Sequence, residues 1–224
     1  FTISEFNGQS STPFFYYKFN NFTIPEGSND FTISIRQGVD GYASAKDTYI
    51  DGGEPTVNYA TLRSMISDKQ ATDALERYSI EIYEDLGSMF GPSSGNVVVT
   101  EASLDYVVGV EGQGITLHQI TTSADIDIDT VTYNTLDGTL INSGNEAYNT
   151  TAMGTWLGAD SYTGAINIPV SASVIQSFIR GDNTAQPGWF GIGSHPTDGQ
   201  QLSSVDTPEI ADRPQLNVTY TLEA

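Results

Sequence analysis

What most limits the fold of this 224-residue chain is a recurring alternation of apolar and polar residues with a period of two. It runs through FTISIR (Phe31–Arg36), RYSIEIY (Arg77–Tyr83), NVVVTEASLDYVV (Asn96–Val108) and ITLHQI (Ile115–Ile120), then GAINIPV (Gly164–Val170), GWFGIG (Gly188–Gly193) and QLNVTYTL (Gln215–Leu222). Successive side chains of a strand point to opposite faces, so these segments read as strands. GGEP, GPSSG, EGQG, LDG, NSGN and PTDG separate them, with the residue types that turns demand. Many short strands without regular strand–helix alternation predict an all-β protein, an antiparallel, jelly-roll-like β-sandwich. One short helix is expected over Ala172–Arg180, with Ser171 as N-cap, Gly181 as its stop, and Val174, Ile175, Phe178 and Ile179 as its apolar face. A weaker helical turn is expected from Asp68 to Leu75.

Charge narrows the function classes. Eight Lys and Arg stand against 28 Asp and Glu, a net charge of −20. That repels phosphate backbones and anionic membranes, so no nucleic-acid partner is expected. It favours cations, calcium among them, and a saline medium that screens self-repulsion. No apolar run reaches 18 residues, so no transmembrane segment is expected. The absence of cysteine removes disulfides, thiolate zinc sites and cysteine nucleophiles. The chain opens on Phe1, which reads as a form trimmed of any export signal.

Residues 1–30 read as an N-terminal aromatic arm and 31–224 as the sandwich domain. Residues 1–24 hold only Glu5 and Lys18, which cancel, so the body carries the whole −20. Within PFFYYKFNNF, an extended arm would point Phe15, Tyr17 and Phe19 one way and Phe14, Tyr16 and Phe22 the other. A half-buried edge strand is polar on one face; this one is aromatic on both and wants cover on both sides. Hiding three rings removes roughly 500 Å² from water, an upper bound of about 12 kcal/mol. The arm either folds back on its own domain or adds to a neighbouring subunit's sheet. The second is the expectation, with those six rings as the assembly residues. The tetrapeptide FTIS occurs at Phe1 and again at Phe31.

Little in the chain reads as catalysis. GPSSG (Gly91–Gly95) matches a nucleophile-elbow pattern but is followed by a strand rather than a helix, and reads as a loop. The two histidines, His118 and His195, read as packed or exposed side chains rather than ligands. In SADIDIDT, an extended backbone puts Asp125, Asp127 and Asp129 on one face and Ile126 and Ile128 on the other. These acids, and separately Asp47 and Asp51, are the candidate calcium ligands; a solvated acidic face is the plainer expectation. No cofactor other than calcium is suggested.

A resemblance adds to this. DTYIDGGEPTVNYATL (Asp47–Leu62), ERYSIEIYEDLGSMFG (Glu76–Gly91), VVVTEASLDYVV (Val97–Val108), TLHQITT (Thr116–Thr122) and TVTYNTLDG (Thr130–Gly138) come first. INIPVSASVIQSFIRGDNTAQPGWFGI (Ile166–Ile192) and DTPEIADRPQLNVTYT (Asp206–Thr221) follow. In this order the segments resemble the DNRLRE domain family of secreted β-sandwich modules. The naming hexapeptide is absent, and Ala60 and Tyr133 stand where other residues are usual. The resemblance implies an extracellular or cell-surface, non-catalytic sandwich, similar in some members to alginate-type carbohydrate-binding modules. A glycan site would need exposed aromatic platforms, for which Tyr42, Tyr49, Tyr59 and Trp156 are the candidates, whereas Trp189 reads as core. The leading expectation is a self-assembling structural subunit, as a filament or surface layer. A carbohydrate-binding module with an extracellular polysaccharide as partner is the alternative, and a polysaccharide-active enzyme is not expected.

Overall fold

Among the described residues eleven strands follow one another as β1 (Phe31–Arg36), β2 (Ala45–Asp51), β3 (Ser64–Ser67), β4 (Arg77–Tyr83), β5 (Val97–Val110), β6 (Ile115–Gln119), β7 (Gly154–Trp156), β8 (Gly164–Val170), β9 (Gly188–Gly193), β10 (Gln200–Ser203) and β11 (Gln215–Leu222). The structure is a computed structural model, and it describes residues 30–68, 76–110, 112, 114–122, 125–136, 147–158, 163–183, 185–194 and 199–223. Among these residues a single α-helix, α1 (Ala172–Arg180), lies between β8 and β9. Every pairing is antiparallel, in the order β1-β11-β5-β8-β7-β6-β9-β4-β2, with β10 joining β3 to the far end of β5. The sheet curls until its two halves face each other, which makes the fold sandwich-like and all-β as the alternation predicts.

The inner core draws on both halves. Ile35, Leu104, Tyr106, Ile168, Leu216 and Val218 come from one, and Tyr83, Ile115, Leu117 and Trp189 from the other. Alternation explains this: β5 buries Val97, Val99, Ala102, Leu104, Tyr106 and Val108. A second core lies on the opposite face of β4 and β9. There Tyr78, Ile80, Ile82 and Phe190 meet Ile126, Ile128, Val131 and Leu136. Strand β4 is therefore buried on both faces, with Ser79, Glu81 and Tyr83 turned towards the inner core side.

Helix α1 buries Ile175, Phe178 and Ile179 and packs on β5 and on the 3₁₀ stretch Leu86–Asn96. Gly181 ends it at φ 71°, a left-handed conformation that suits glycine. The expected N-cap is corrected in its chemistry. Ser171 occupies the position, but its hydroxyl makes no cap bond and lies 3.0 Å from the Ser173 hydroxyl. The Ser171 carbonyl instead accepts from the Ile175 N–H at 3.2 Å. GPSSG lies within that 3₁₀ stretch and leads into β5, not into a helix. The helical turn expected from Asp68 to Leu75 lies outside the described residues except for Asp68, which forms a bridge with Arg77. No helix among the described residues is long and apolar enough to cross a membrane.

Candidate functional site

Strand β2 ends at Asp51, and the chain turns at once. Asp51 Oδ1 accepts the Gly53 N–H at 2.7 Å, and the Asp51 carbonyl accepts the Glu54 N–H at 3.2 Å. The loop is then tied to the cover of the second core. Asn58 donates its amide to the carbonyls of Ile128 (2.9 Å) and Val131 (2.7 Å), and Asn134 N–H donates to Pro55 O at 2.9 Å. These ties set the next residue, Tyr59, flat on Tyr49, with centroids 4.1 Å apart and planes 12° from parallel. The Tyr59 hydroxyl donates to Glu54. Partial burial, and next that bond, hold its pKa above the ordinary phenol value.

Beside the ring pair stands Arg77, at the start of β4. Its Nε donates to Asp51 Oδ2 at 2.7 Å, and its Nη1 lies 3.6 Å from Asp68 Oδ2. The bond to Asp51 raises the guanidinium pKa further. Tyr49, Asp51, Gly53, Glu54, Tyr59, Ile66 and Arg77 together line a pocket of about 530 Å³. The pocket thus offers a half-exposed ring face, two carboxylates (Asp51 and Glu54) and one guanidinium, all fixed by neighbours.

A second feature lies at the N-terminal end of β1. Tyr220 stacks on Phe31 (centroids 5.4 Å) and meets the edge of Phe90 (5.0 Å). Ile33, Met89, Phe90 and Tyr220 are only partly buried, while Ile35, Leu216 and Val218 further along the same strands are fully buried. Core cover therefore thins towards the end where the arm joins β1. Among the described residues β1 pairs only with β11.

A third feature is an acid network in the inner core. Tyr106 donates its hydroxyl to Glu81 Oε1, and Trp189 donates its indole N–H to the Tyr106 oxygen at 3.2 Å. Glu81 Oε2 has no partner in hydrogen-bond geometry, although Trp189 and Tyr83 lie near enough to ease its charge. Burial, and next the negative charge of Asp47, push the Glu81 pKa up to about 8. Asp47 accepts from the Ser204 hydroxyl and the Val205 N–H, both at 2.7 Å, yet burial still raises its pKa to about 7.

These positions revise several sequence expectations. Tyr42 is 3% exposed, donates to the Glu84 carbonyl at 2.8 Å, and offers no platform. Tyr49 is 6% exposed because Tyr59 covers it, so of that pair Tyr59 presents the outer face. Trp156 is half-buried against the inner core rather than standing out from the surface. Asp47 is buried and committed to Ser204 and Val205, and Asp51 is committed to Arg77 and Gly53. Asp125, Asp127 and Asp129 do face solvent while Ile126 and Ile128 are buried, but the backbone there is irregular rather than a strand. Asp127 spends its oxygens on the Asp129 N–H (3.1 Å) and the Thr130 hydroxyl (2.9 Å). The alternation is that of a lid over the second core, and among the described residues no three acidic or histidine side chains converge on a metal position. His118 is packed: its ring nitrogens lie 2.9 Å from Asn149 O and from Thr116 Oγ1, and burial lowers its pKa. His195 and the six arm rings, Phe14 to Phe22, lie outside the described residues.

Arg77 and Glu54 are the site residues that sequence reasoning missed. Glu54 lies in the GGEP turn and Arg77 opens RYSIEIY, and it takes the loop ties together with the β2–β4 register, which sets Arg77 opposite Asp51, to bring them beside Tyr59. No protein-family model matches the chain, and no curated protein does, so the resemblance to the DNRLRE domain family rests on the quoted segments.

Proposed function

We propose that this chain is a non-catalytic extracellular structural subunit that assembles by laying its N-terminal arm along strand β1 of a neighbouring copy. The observation that carries this reading is the character of the β1 edge. From Thr32 to Ile35 it has no charge and no proline, in a protein of net charge −20, and among the described residues its ladder continues only into β11. Sheet edges are normally guarded by lysine, proline or a bulge, because a bare edge is a template for another strand. The arm's sequence suits that edge: if extended it would be aromatic on both faces, it has no net charge over residues 1–24, and it repeats the FTIS of β1. Its length suits a neighbour. Thirty extended residues reach about 100 Å, whereas a domain of this size is about 40 Å across.

Head-to-tail donation does not close on itself and so produces a filament. The acidic bodies repel along it, and salt or calcium relieves that repulsion. The extracellular assignment draws on the resemblance and on the acidic composition, which suits a saline medium. Deletion of residues 1–24 tests the reading, with sizing and negative-stain images beside full-length protein in salt and calcium. The full chain is expected to form filaments and the truncated chain to remain a folded monomer. A full chain that stays monomeric at high concentration overturns the proposal.

A further inference from the structure

We propose that Asn149 is an acceptor for N-linked glycosylation, and that Asn217, which carries the same sequence signal, is not. The modification rests on the extracellular reading, since this chemistry acts on exported chains; the geometry of the acceptor does not. Asn-x-Ser/Thr, with x other than proline, occurs at Asn21, Asn149 and Asn217. Asn21 lies outside the described residues. The fold treats the other two differently. Asn149 stands where the chain arches away from β6. Its N–H donates to Gln119 O at 2.8 Å, and the Met153 N–H donates to Leu117 O at 2.7 Å. A step from 149 to 153 on one side thus matches a step from 119 to 117 on the other, and the surplus chain is pushed out of the ladder. Asn149, Thr150 and Thr151 are exposed on this arch. Its foot is held by the Ile120–Tyr148 bridge and by the His118 ring, 2.9 Å from Asn149 O. Asn149 Oδ1 accepts the Thr151 N–H at 3.0 Å, which folds the third residue of the signal back on the first.

Asn217 sits within β11, opposite Ser34 of β1 and Ser103 of β5. Its Nδ2 donates to Asp105 Oδ2 at 2.8 Å, and its Oδ1 accepts from Ser34 Oγ and Gln215 Nε2, both at 2.7 Å. A transferase has to draw the acceptor segment into its own active site. At the arch this displaces a short exposed loop. At Asn217 it unpairs β11 from both neighbouring strands, an opening close to global unfolding. The reaction is a substitution. Asn149 Nδ2 forms a bond to C1 of the first sugar of an oligosaccharide carried on a polyprenyl phosphate. The C1–O bond breaks, its electron pair leaves with the phosphate, and one Nδ2 proton passes to a base of the transferase. The Thr151 hydroxyl is the group the enzyme reads at the third position. Strands β11, β5, β8 and β7 separate β6 from β1 in the ladder, so the glycan is not carried by a strand beside the assembly edge.

The test incubates the folded full chain with a purified oligosaccharyltransferase and its lipid-linked donor. The enzyme is one that glycosylates isolated peptides carrying the Asn149 and Asn217 signals. Peptide mapping by mass spectrometry then reads both positions. Occupancy in the folded chain is expected to be about tenfold or more higher at Asn149 than at Asn217, although the two peptides react alike. Thr151→Ala keeps the backbone N–H that bonds Asn149 but removes the hydroxyl, and should abolish transfer to Asn149. Thr151→Ser should retain it. Thermal melts establish that both variants fold. A folded chain left bare at Asn149 overturns the proposal. So does equal occupancy at Asn217, or a folded Thr151→Ala that is modified like the parent. Because the transferase is supplied, failure here is distinct from failure of the extracellular reading, which cell fractionation reports, and from failure of assembly, which filament images report.

Discussion

The Tyr106 hydroxyl reaches Glu81 from across the inner core, so that a strand of one half of the sandwich holds the carboxyl of the other at 2.5 Å. Both groups are buried, and no lysine or arginine pairs with Glu81 among the described residues. A carboxyl in that setting is cheaper to bury protonated. Its folded pKa, about 8, lies above the ordinary value of 4.5, and that of Asp47, about 7, lies above 3.8. Between the unfolded and folded values the native state binds more protons than the unfolded one, so stability falls as pH rises. The stability these groups contribute is complete below about pH 4 and lost by about pH 8. Melting temperature should therefore drop by about 5 °C or more from pH 5 to pH 8, given roughly 2–4 °C per kcal/mol at this size. Glu81→Gln keeps an acceptor for Tyr106 and removes the titration. It should flatten the profile and melt above the parent at pH 8. Profiles of equal slope in the two proteins would contradict this.

Arg77 balances two nearly buried carboxylates, Asp51 and Asp68. Arg77→Ala removes this shared cation from beside both. Fully buried pairs broken this way lose about 3–5 kcal/mol. Because the Arg77 side chain is 38% exposed, solvent screens part of that, and a loss of about 2 kcal/mol is expected. Arg77→Lys should recover less than half, since one ammonium cannot reproduce the fork that serves both acids. Chemical denaturation of the three proteins measures the order.

Gly188 begins β9 opposite Ile82, where the strands leave no room for a methyl group. A Cβ there would stand 2.3 Å from the Glu81 carbonyl oxygen and 3.1 Å from Ile82 Cα, both backbone atoms that cannot swing aside. Gly188→Ala should cost about 2–3 kcal/mol through overpacking. At Gly95 a Cβ meets nothing within 4 Å, so Gly95→Ala should change stability by less than about 0.5 kcal/mol. Equal denaturation midpoints for the two variants would remove the close approach as the reason for glycine at 188.

The architecture was legible wherever the residue types along a strand keep a recognisable apolar pattern bounded by turn residues. β1, β4, β8, β9 and β11 have the ends the alternation predicts, and α1 has those predicted by its cap positions and apolar face. β2 was not, because AKDTYID buries Asp47, Thr48 and Asp51 along with its apolar residues and so erases the alternation. β3, β7 and β10, of three or four residues each, are too short to display a period. The candidate pocket was half legible. Tyr49 and Tyr59 stood out as aromatics between turn residues, but their stacking depends on Asn58 reaching carbonyls some 70 residues away. The Glu81 network was hidden for a similar reason. An acid within RYSIEIY reads as the solvent face until the second core, on the far side of β4, is known to bury that strand twice over.

The edge of β1 allows the assembly reading to be tested without touching the arm. Thr32 and Ser34 point outward, and each makes one side-chain contact, to Thr219 at 3.3 Å and to Asn217 at 2.7 Å. Thr32→Lys and Ser34→Lys together place two charges on a surface that has none between Thr32 and Ile35. Lysine on an outer strand is a common natural guard against edge-to-edge pairing. Losing two exposed hydrogen bonds should cost the domain about 1 kcal/mol or less. Arriving strands, by contrast, would have to pack against charged side chains. The double variant should melt within a few degrees of the parent yet remain monomeric where the parent forms filaments. Added salt should rescue it poorly, because the lysines obstruct by desolvation and bulk at the seam rather than by long-range repulsion, which the −20 of the body would turn to attraction. Filaments of normal length and abundance from the stable double variant would show that neighbours do not join along β1, whatever the arm does elsewhere.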